Sequence, residues 1–244
     1  MKNNIGYNMT CKNCCSDRNV KNGYVRGKQR YKCKLCGFNF VIGDKREKLS
    51  PPARALAILL YGRGKASYGF IAKLLKVSSV AVMKLIKREA DKMPEPEICS
   101  SIKEVSFDEM WHFVEQKTNK LWVWHAVECC RNRTIGWCVG DRSTETFRSF
   151  YQNFEHLDAK FYSDDWDSYA KVIPAVRHTT GKKYTVGIEQ NNSNIRHFLG
   201  RFTRRTKVVS KSAAMVLATL KICWHINENN GFDEYLKIFA SIFG

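Results

Sequence analysis

The second half of the chain alternates apolar and polar positions in a way that predicts a β-sheet. Residues 102–111 alternate as a strand with one buried side does, 121–127 are nearly all apolar, and 135–139 form a third strand after a turn. Residues 144–157 then show the apolar stripe of a helix, and 159–163 form a fourth strand. Three consecutive strands, a helix, another strand and further helices predict a mixed sheet covered by helices.

The first half shows helical periods instead, at 53–61, 68–75 and 80–92. The third of these helices has apolar residues on one face and three basic residues turned outward, namely Lys84, Lys87 and Arg88. A helix, a short turn and a second helix with a basic outer face predict a helix-turn-helix, although helical hairpins with basic surfaces are also common outside DNA-binding proteins. A proline-rich stretch at 94–96 indicates a linker, and the apolar helices expected at 215–226 and 232–243 close the core.

Four cysteines near the start of the chain have the spacing of a zinc site. They form two C-x2-C pairs separated by 18 residues, Cys11 with Cys14 and Cys33 with Cys36. Each pair can turn two thiolates toward one ion, and the two turns together complete a tetrahedron. Cys15 competes with Cys14 as a ligand, but the C-x2-C spacing favours Cys14. The sequence therefore predicts a zinc ribbon with a structural Zn²⁺ ion, too small to fold without its metal.

Charge separates the two halves of the chain. The net charge is +18, and residues 1–100 contain 21 Lys or Arg against 7 Asp or Glu, while residues 101–244 contain 20 against 16. A basic front end beside a nearly balanced second half predicts nucleic-acid binding, the alternative being a solvated basic surface. No window resembles a membrane span or a signal peptide, so we expect a soluble, cytoplasmic and nucleoid-associated protein with no membrane partner.

A basic segment late in the chain contains one carboxylate. Between residues 177 and 211 there are nine Lys or Arg and a single acid, Glu189. Asp108 lies on the first predicted strand of the sheet, and Asp164 follows the fourth. Hard oxygen ligands on a rigid sheet suit Mg²⁺ or Mn²⁺, and two such ions can catalyse an in-line displacement at phosphorus. We interpret Asp165 and Asp167 as solvated or capping acids, although either is an alternative to Asp164.

The helix that carries Glu189 has further polar residues on the same face. Asn192 and Arg196 follow the carboxylate by three and seven residues, and this spacing aligns them on one side of a helix. We therefore expect the helix to offer its acid to a metal ion and its amide and guanidinium groups to DNA.

These motifs resemble the insertion-sequence-one family of bacterial and archaeal transposases, and the likeness covers nearly the whole chain. The matching residues are the two cysteine pairs, Asp108-Glu109-Met110-Trp111, Gly140-Asp141-Arg142-Ser143, Ser163-Asp164-Asp165-Trp166 with Tyr169, Gly181-Lys182-Lys183-Tyr184-Thr185, Ile188-Glu189-Gln190-Asn191-Asn192, and Arg201-Phe202 with Arg204-Arg205-Thr206.

The resemblance implies a multidomain α+β protein. Its parts are a zinc ribbon (1–43), a helix-turn-helix with linker (44–97) and an RNase-H-like catalytic domain with C-terminal helices (98–244). The first two would recognise the terminal inverted repeats of the element. The third would use Mg²⁺ to free 3′ ends and join them to target DNA, with Asp108, Asp164 and Glu189 as its catalytic triad. The resemblance also implies contacts to the DNA backbone from Arg196, Arg201, Arg204 and Arg205.

Three functions remain open at this point. The first is an active transposase that acts on double-stranded DNA, both element ends and target, as a homodimer or larger assembly. The second is a DNA-binding regulator whose second half only dimerises, although such a protein has no need of three carboxylates. The third is an RNase-H-like nuclease that cuts without joining, and only its products distinguish it from the first.

Overall fold

A computed structural model describes residues 9–11, 14, 16–42, 49–203 and 206–243. The chain divides into two compact units, Met1–Ser50 and Pro51–Gly244. The first unit contains a three-stranded antiparallel sheet of β1 (Asn19–Val25), β2 (Lys28–Cys33) and β3 (Asn39–Val41). Its small apolar cluster combines the buried Phe40 and two cysteines, which is a core of the minimal size expected of a metal-stapled module.

The second unit begins with the three helices that the periodicity predicts. They are α1 (Pro51–Gly62), α2 (Tyr68–Leu74) and α3 (Ser79–Ala90). Ser67 and Ser78 cap α2 and α3, each accepting a hydrogen bond from a backbone N–H three residues on, and this satisfies donors that the first helical turn leaves open. The helix-turn-helix of the predicted fold is therefore present.

A five-stranded sheet forms the centre of this unit, in the order β6-β5-β4-β7-β8. Its strands are β4 (Glu104–Phe113), β5 (Lys120–Glu128), β6 (Arg133–Gly140), β7 (Lys160–Ser163) and β8 (His178–Thr180). The first three are antiparallel, whereas β7 pairs parallel to β4 and β8 parallel to β7. The first and fourth strands are thus neighbours, as the expected RNase-H-like arrangement requires, and the prediction of a mixed α+β fold is confirmed.

Helices cover both faces of the sheet. They are α4 (Thr144–Tyr151), α5 (Asp167–Ala170), α6 (Lys182–Phe198), α7 (Ala213–Glu228) and α8 (Gly231–Ala240). On one face Phe107 packs among the aromatic rings of α4, and on the other Met110 and Val123 pack against α6 and α7. The alternation of apolar residues along β4 places successive side chains in these two cores.

Two details differ from the sequence expectation. The helix predicted over 144–157 ends at Tyr151, and Phe154 and Leu157 are buried from the turns that follow it. The strand β8 was not predicted, because its three residues are too few to show a period.

The helices α1 and α3 pack against α7 and α8, so residues 51–97 form one compact unit with the sheet. Among the described residues, every helix is too short or too polar to cross a membrane.

Candidate functional site

The four cysteines of the first unit come together. All four Sγ atoms lie within 4.8 Å of one another, with Cys11 and Cys36 separated by 3.5 Å and Cys14 and Cys33 by 3.6 Å. A Zn–S bond of about 2.3 Å in a tetrahedron separates the sulfurs by about 3.8 Å, close to these values. Cys14 is part of this cluster, and Cys15 lies outside the described residues. The cluster can therefore hold a tetrahedral metal ion.

Asp108 lies in the middle of β4, facing α6. Its Oδ2 accepts a hydrogen bond from Asn192 Nδ2 at 2.6 Å, and His125 is its partner across the sheet on β5. Burial raises the pKa of Asp108 to about 6, the negative charges of Glu109 and Asp164 add to this, and the Asn192 amide opposes it. The carboxylate is thus held in a partly buried position beside other negative charge, where a cation would stabilise it.

Asp164 follows β7 directly, and β7 runs parallel to β4, so the carboxyl end of one strand lies beside the other. The charge of Asp164 acts on both Asp108 and Glu109, raising the pKa of each. Its Oδ1 accepts the backbone N–H of Trp166 at 3.1 Å, which fixes the loop after the strand. Asp164 is half-buried whereas Asp165 is exposed, a difference that favours Asp164 as the ligand.

Glu189 projects from α6 into an open cavity of about 650 Å³ that it shares with Asp108. Its Oε1 accepts a hydrogen bond from Thr185 Oγ1 at 3.2 Å. The cavity is lined by Asp108, Glu189, Asn192, Ser193, Arg196, His197 and Thr203. Within the described part of the chain, the three carboxylates do not converge within 4.8 Å as the cysteines do. The lining therefore combines two carboxylates, one from β4 and one from α6, with Arg196 and His197 of α6.

Glu109, next to Asp108 in sequence, points to the opposite face of the sheet and is fully engaged there. It accepts hydrogen bonds from Arg142 Nε at 2.7 Å and from the Tyr169 hydroxyl at 2.6 Å. The guanidinium of Arg142 in turn lies between the rings of Trp122 and Trp166, at 4.8 and 4.5 Å from their centroids. Glu109 is thus committed to a packed ion pair that supports the loop of Asp164.

A second set of residues that sequence reasoning did not assign lies behind Asp108. His125 is 1% exposed and its Nδ1 lies 2.9 Å from Asn192 Oδ1. Its Nε2 lies 2.9 Å from the hydroxyl of Thr134, which is bound in turn by the carboxylate of Glu228 at the end of α7. Burial lowers the pKa of His125 to about 4, so the ring is neutral at pH 7. A histidine inside an apolar strand is the only sequence signal of this network.

The predicted DNA contacts differ in how the fold presents them. Lys84, Lys87 and Arg88 are exposed on α3, as a DNA-reading helix requires. Arg196 is half-buried and lines the cavity with Glu189. Asn192 is 2% exposed and donates to Asp108, so it holds the carboxylate where the sequence suggested a contact with DNA.

Arg201 does not fit the predicted contact with the DNA backbone. It is 6% exposed, and its guanidinium donates to the Tyr68 hydroxyl at 2.9 Å and to Ser210 Oγ at 3.2 Å. It therefore joins the start of α2 to the segment before α7. Arg204 and Arg205 lie outside the described residues.

Comparison with known proteins supplies a family for the second unit. Residues 99–229 match the family model described as IS1 transposase. The insertion element iso-IS1n protein InsB of Shigella dysenteriae is 34% identical over 106 residues, which cover 43% of this chain and 81% of that protein. The insertion element IS1 protein InsB of Shigella sonnei is 28% identical over 109 residues, covering 44% and 83%. The family match includes Asp108, Asp164 and Glu189.

Among solved structures, the catalytic core domain of BIV integrase aligns with 59% of this chain and 100% of its own, with a TM-score of 0.37 and 16% sequence identity.

Proposed function

This chain belongs to the IS1 transposase family, and from that premise we propose that it binds the terminal inverted repeats of an insertion element and catalyses metal-dependent cleavage and joining of DNA strands. The observation that carries the proposal is the shared cavity. Its wall combines the carboxylates of Asp108 and Glu189 with the basic side chains of Arg196 and His197. Cleavage of a phosphodiester requires this combination. The carboxylates would hold the metal ions of the reaction, and the basic side chains would neutralise the phosphate.

The donor set fits Mg²⁺ or Mn²⁺. Asp108, Asp164 and Glu189 would hold the ions, since carboxylates are hard oxygen ligands and a cation would relieve the repulsion between Asp164 and Asp108. When bound, the ions activate the attacking oxygen and stabilise the leaving oxygen. The protein's side chains would orient the reacting groups. Asn192 holds Asp108 in position, and Arg196 and His197 would bind phosphates of the DNA backbone.

The front of the chain would bring the element ends to this cavity. The exposed basic face of α3 suits the major groove, and Lys and Arg side chains there would bind phosphates whatever the sequence. In the first unit, the four cysteines would hold structural Zn²⁺, and the basic residues of the ribbon would add further phosphate contacts. Because transposition joins two element ends to one target, we expect at least a dimer on DNA.

The test is a joining assay with purified protein, labelled terminal-repeat DNA, a target plasmid and Mg²⁺. We expect joined products with the wild type, and a loss of at least about 100-fold with Glu189→Gln or Asp164→Asn, since each removes charge stabilisation from the reacting centre. Asp165→Asn is the matched control, because it changes the adjacent exposed acid and should leave joining intact.

The alternative functions give different products in the same assay. A wild-type protein that binds the repeats without cutting would be a regulator, and one that cuts without joining would be a nuclease. If Asp165→Asn lost activity while Asp164→Asn kept it, Asp165 would be the metal ligand in place of Asp164.

A further inference from the structure

A buried line of hydrogen bonds leads from β6 through β5 and α6 to Asp108. Thr134 Oγ1 lies 2.9 Å from His125 Nε2, His125 Nδ1 lies 2.9 Å from Asn192 Oδ1, and Asn192 Nδ2 lies 2.6 Å from Asp108 Oδ2. Thr134, His125 and Asn192 are 4%, 1% and 2% exposed, so water does not compete for these bonds.

We propose that His125 is a positioning residue for the metal-binding carboxylate of Asp108 and acts through the side chain of Asn192. This inference rests on the proposed function, in which Asp108 holds a divalent cation. It adds a residue that does not contact the metal ion or DNA but decides how a ligand is presented.

The two ends of the Asn192 amide group have opposite hydrogen-bonding roles. The Nδ2 end of Asn192 donates to Asp108, and its Oδ1 end must therefore accept from His125, which carries its proton on Nδ1. If the amide rotated by half a turn, Oδ1 would face the Asp108 carboxylate and two acceptors would repel. His125 opposes this rotation when its single proton is on Nδ1, and that tautomer requires the Thr134 hydroxyl to donate to Nε2 rather than to Glu228.

The far side of the ring is fixed as well. Thr134 lies against Nε2, and Glu228 holds Thr134 in place by accepting its backbone N–H at 2.7 Å. The imidazole is therefore bound at both nitrogens, and its orientation is set by two strands and the end of α7. A residue that only filled the core would not need this second anchor.

His112 shows what a purely structural histidine looks like in the same sheet. It is also buried, at 4% exposure, bonds the Ser210 hydroxyl through Nε2 at 2.8 Å and stacks on Phe202. It lies on β4, as Asp108 does, but neither of these partners belongs to the carboxylate site. Replacing it removes a buried histidine of equal size without affecting Asn192.

The experiment measures Mn²⁺ binding to the full-length, zinc-loaded protein by calorimetry, with Asp108→Asn defining background binding. We expect His125→Leu to weaken Mn²⁺ affinity by about 10-fold, in the range found for residues behind metal ligands. His125→Asn should recover most of that loss, because its Nδ2 occupies the place of Nδ1 and can donate to Asn192. His112→Leu should bind Mn²⁺ as the wild type does.

A second pair of variants covers the case in which His125→Leu fails to fold. Thr134→Val removes the hydroxyl that anchors the ring and should weaken Mn²⁺ binding, whereas Thr134→Ser keeps the hydroxyl and should not. The inference is overturned if His125→Leu binds Mn²⁺ normally or, where that variant does not fold, if Thr134→Val does. It is equally overturned if His112→Leu shows the same loss, or if His125→Asn is no better than His125→Leu.

The joining assay separates this inference from the proposed function. If the wild type binds Mn²⁺ through Asp108 and joins DNA, but His125→Leu does both equally well, only the positioning role fails. If the wild type neither binds Mn²⁺ through Asp108 nor joins DNA, the proposed function fails and the positioning role fails with it.

Discussion

At the scale of single residues, Arg196 and Arg201 show how two similar side chains acquire different roles. They are five positions apart in one basic segment, and both were predicted to contact DNA. Arg196 lies on α6 and lines the cavity with Glu189. Arg201 follows the helix and is enclosed by Tyr61, Tyr68 and Ser210, with its guanidinium 5.8 and 5.3 Å from the two tyrosine rings. Arg196 thus belongs to the cavity, whereas Arg201 belongs to the packing between α2 and the segment before α7.

Replacing each arginine by methionine should affect stability in one variant and DNA binding in the other. Arg201→Met should lower the free energy of unfolding by about 1.5–3 kcal/mol, because hydrogen bonds from a charged donor to Tyr68 and Ser210 are lost. Arg196→Met should reduce the steepness of log affinity against log salt by about 1, as loss of one phosphate contact does. Urea unfolding and fluorescence anisotropy with terminal-repeat DNA measure these quantities. A stable Arg201→Met protein with weakened DNA binding would contradict the assignment.

The sequence could predict the acids of the site but not their support. Asp108, Asp164 and Glu189 were predicted from a strand, a strand end and a helical face, which are local patterns. The partners of Asp108 come from distant parts of the chain, since His125 and Asn192 are 67 positions apart and Asp108 and Asn192 are 84. No local period encodes such pairs, and the charge of Arg201 gave no information about its burial.

At the scale of elements, the contact between α1 and α7 explains why the helix-turn-helix is not a separate body. Gly62 ends α1, and a Cβ atom there would lie 3.0 Å from both Ile222 Cγ2 and Ile226 Cγ1 on α7. The Tyr61 hydroxyl also bonds Thr219 Oγ1 at 2.6 Å. The three helices were predicted from their periods, but this docking was not, because the partners of α1 on α7 and α8 lie more than 150 positions away in sequence.

Gly62 and Gly69 form a matched pair for testing this contact. Gly62→Ala should destabilise the protein by about 1–3 kcal/mol, because the added methyl group would force the two isoleucine side chains to shift in a packed contact. Gly69 lies on the exposed side of α2, where a Cβ would meet only Ser67 Oγ at 3.8 Å. Gly69→Ala should therefore be neutral or stabilising by up to about 1 kcal/mol, since alanine favours helix. Thermal unfolding of both variants measures how closely α1 packs on α7 at Gly62. Equal stability of the two variants would show that this contact is loose.

At the scale of the whole molecule, the chain joins two units with different sources of stability. Residues 51–244 bury an apolar cluster on each face of a sheet, whereas the described part of the ribbon buries little more than two cysteines and Phe40. A module of that size depends on its metal, so loss of zinc should unfold one unit and spare the other.

Removal of zinc by a chelator should abolish the protection of ribbon amides in hydrogen exchange, while the thermal transition of residues 51–244 stays in place. Cys33→Ser should reproduce the effect and weaken binding to terminal-repeat DNA. Cys130→Ser, which changes an exposed cysteine of the second unit, is the control and should alter neither property. Ribbon amides that stay protected without metal would show that the cysteine cluster is not a zinc site.

The docking of α3 on α7 has a consequence for where DNA is cut. The helix proposed to read the element end and the carboxylates proposed to cut it belong to one compact unit, so the distance between them is a property of the protein. With α3 in the major groove, the proposed function implies that this unit would set the number of base pairs between the recognised sequence and the break. Inserting about five base pairs, half of a helical turn, would turn the correct phosphate to the far side of the duplex. The packing of α3 against α7 would in this way determine where the element ends.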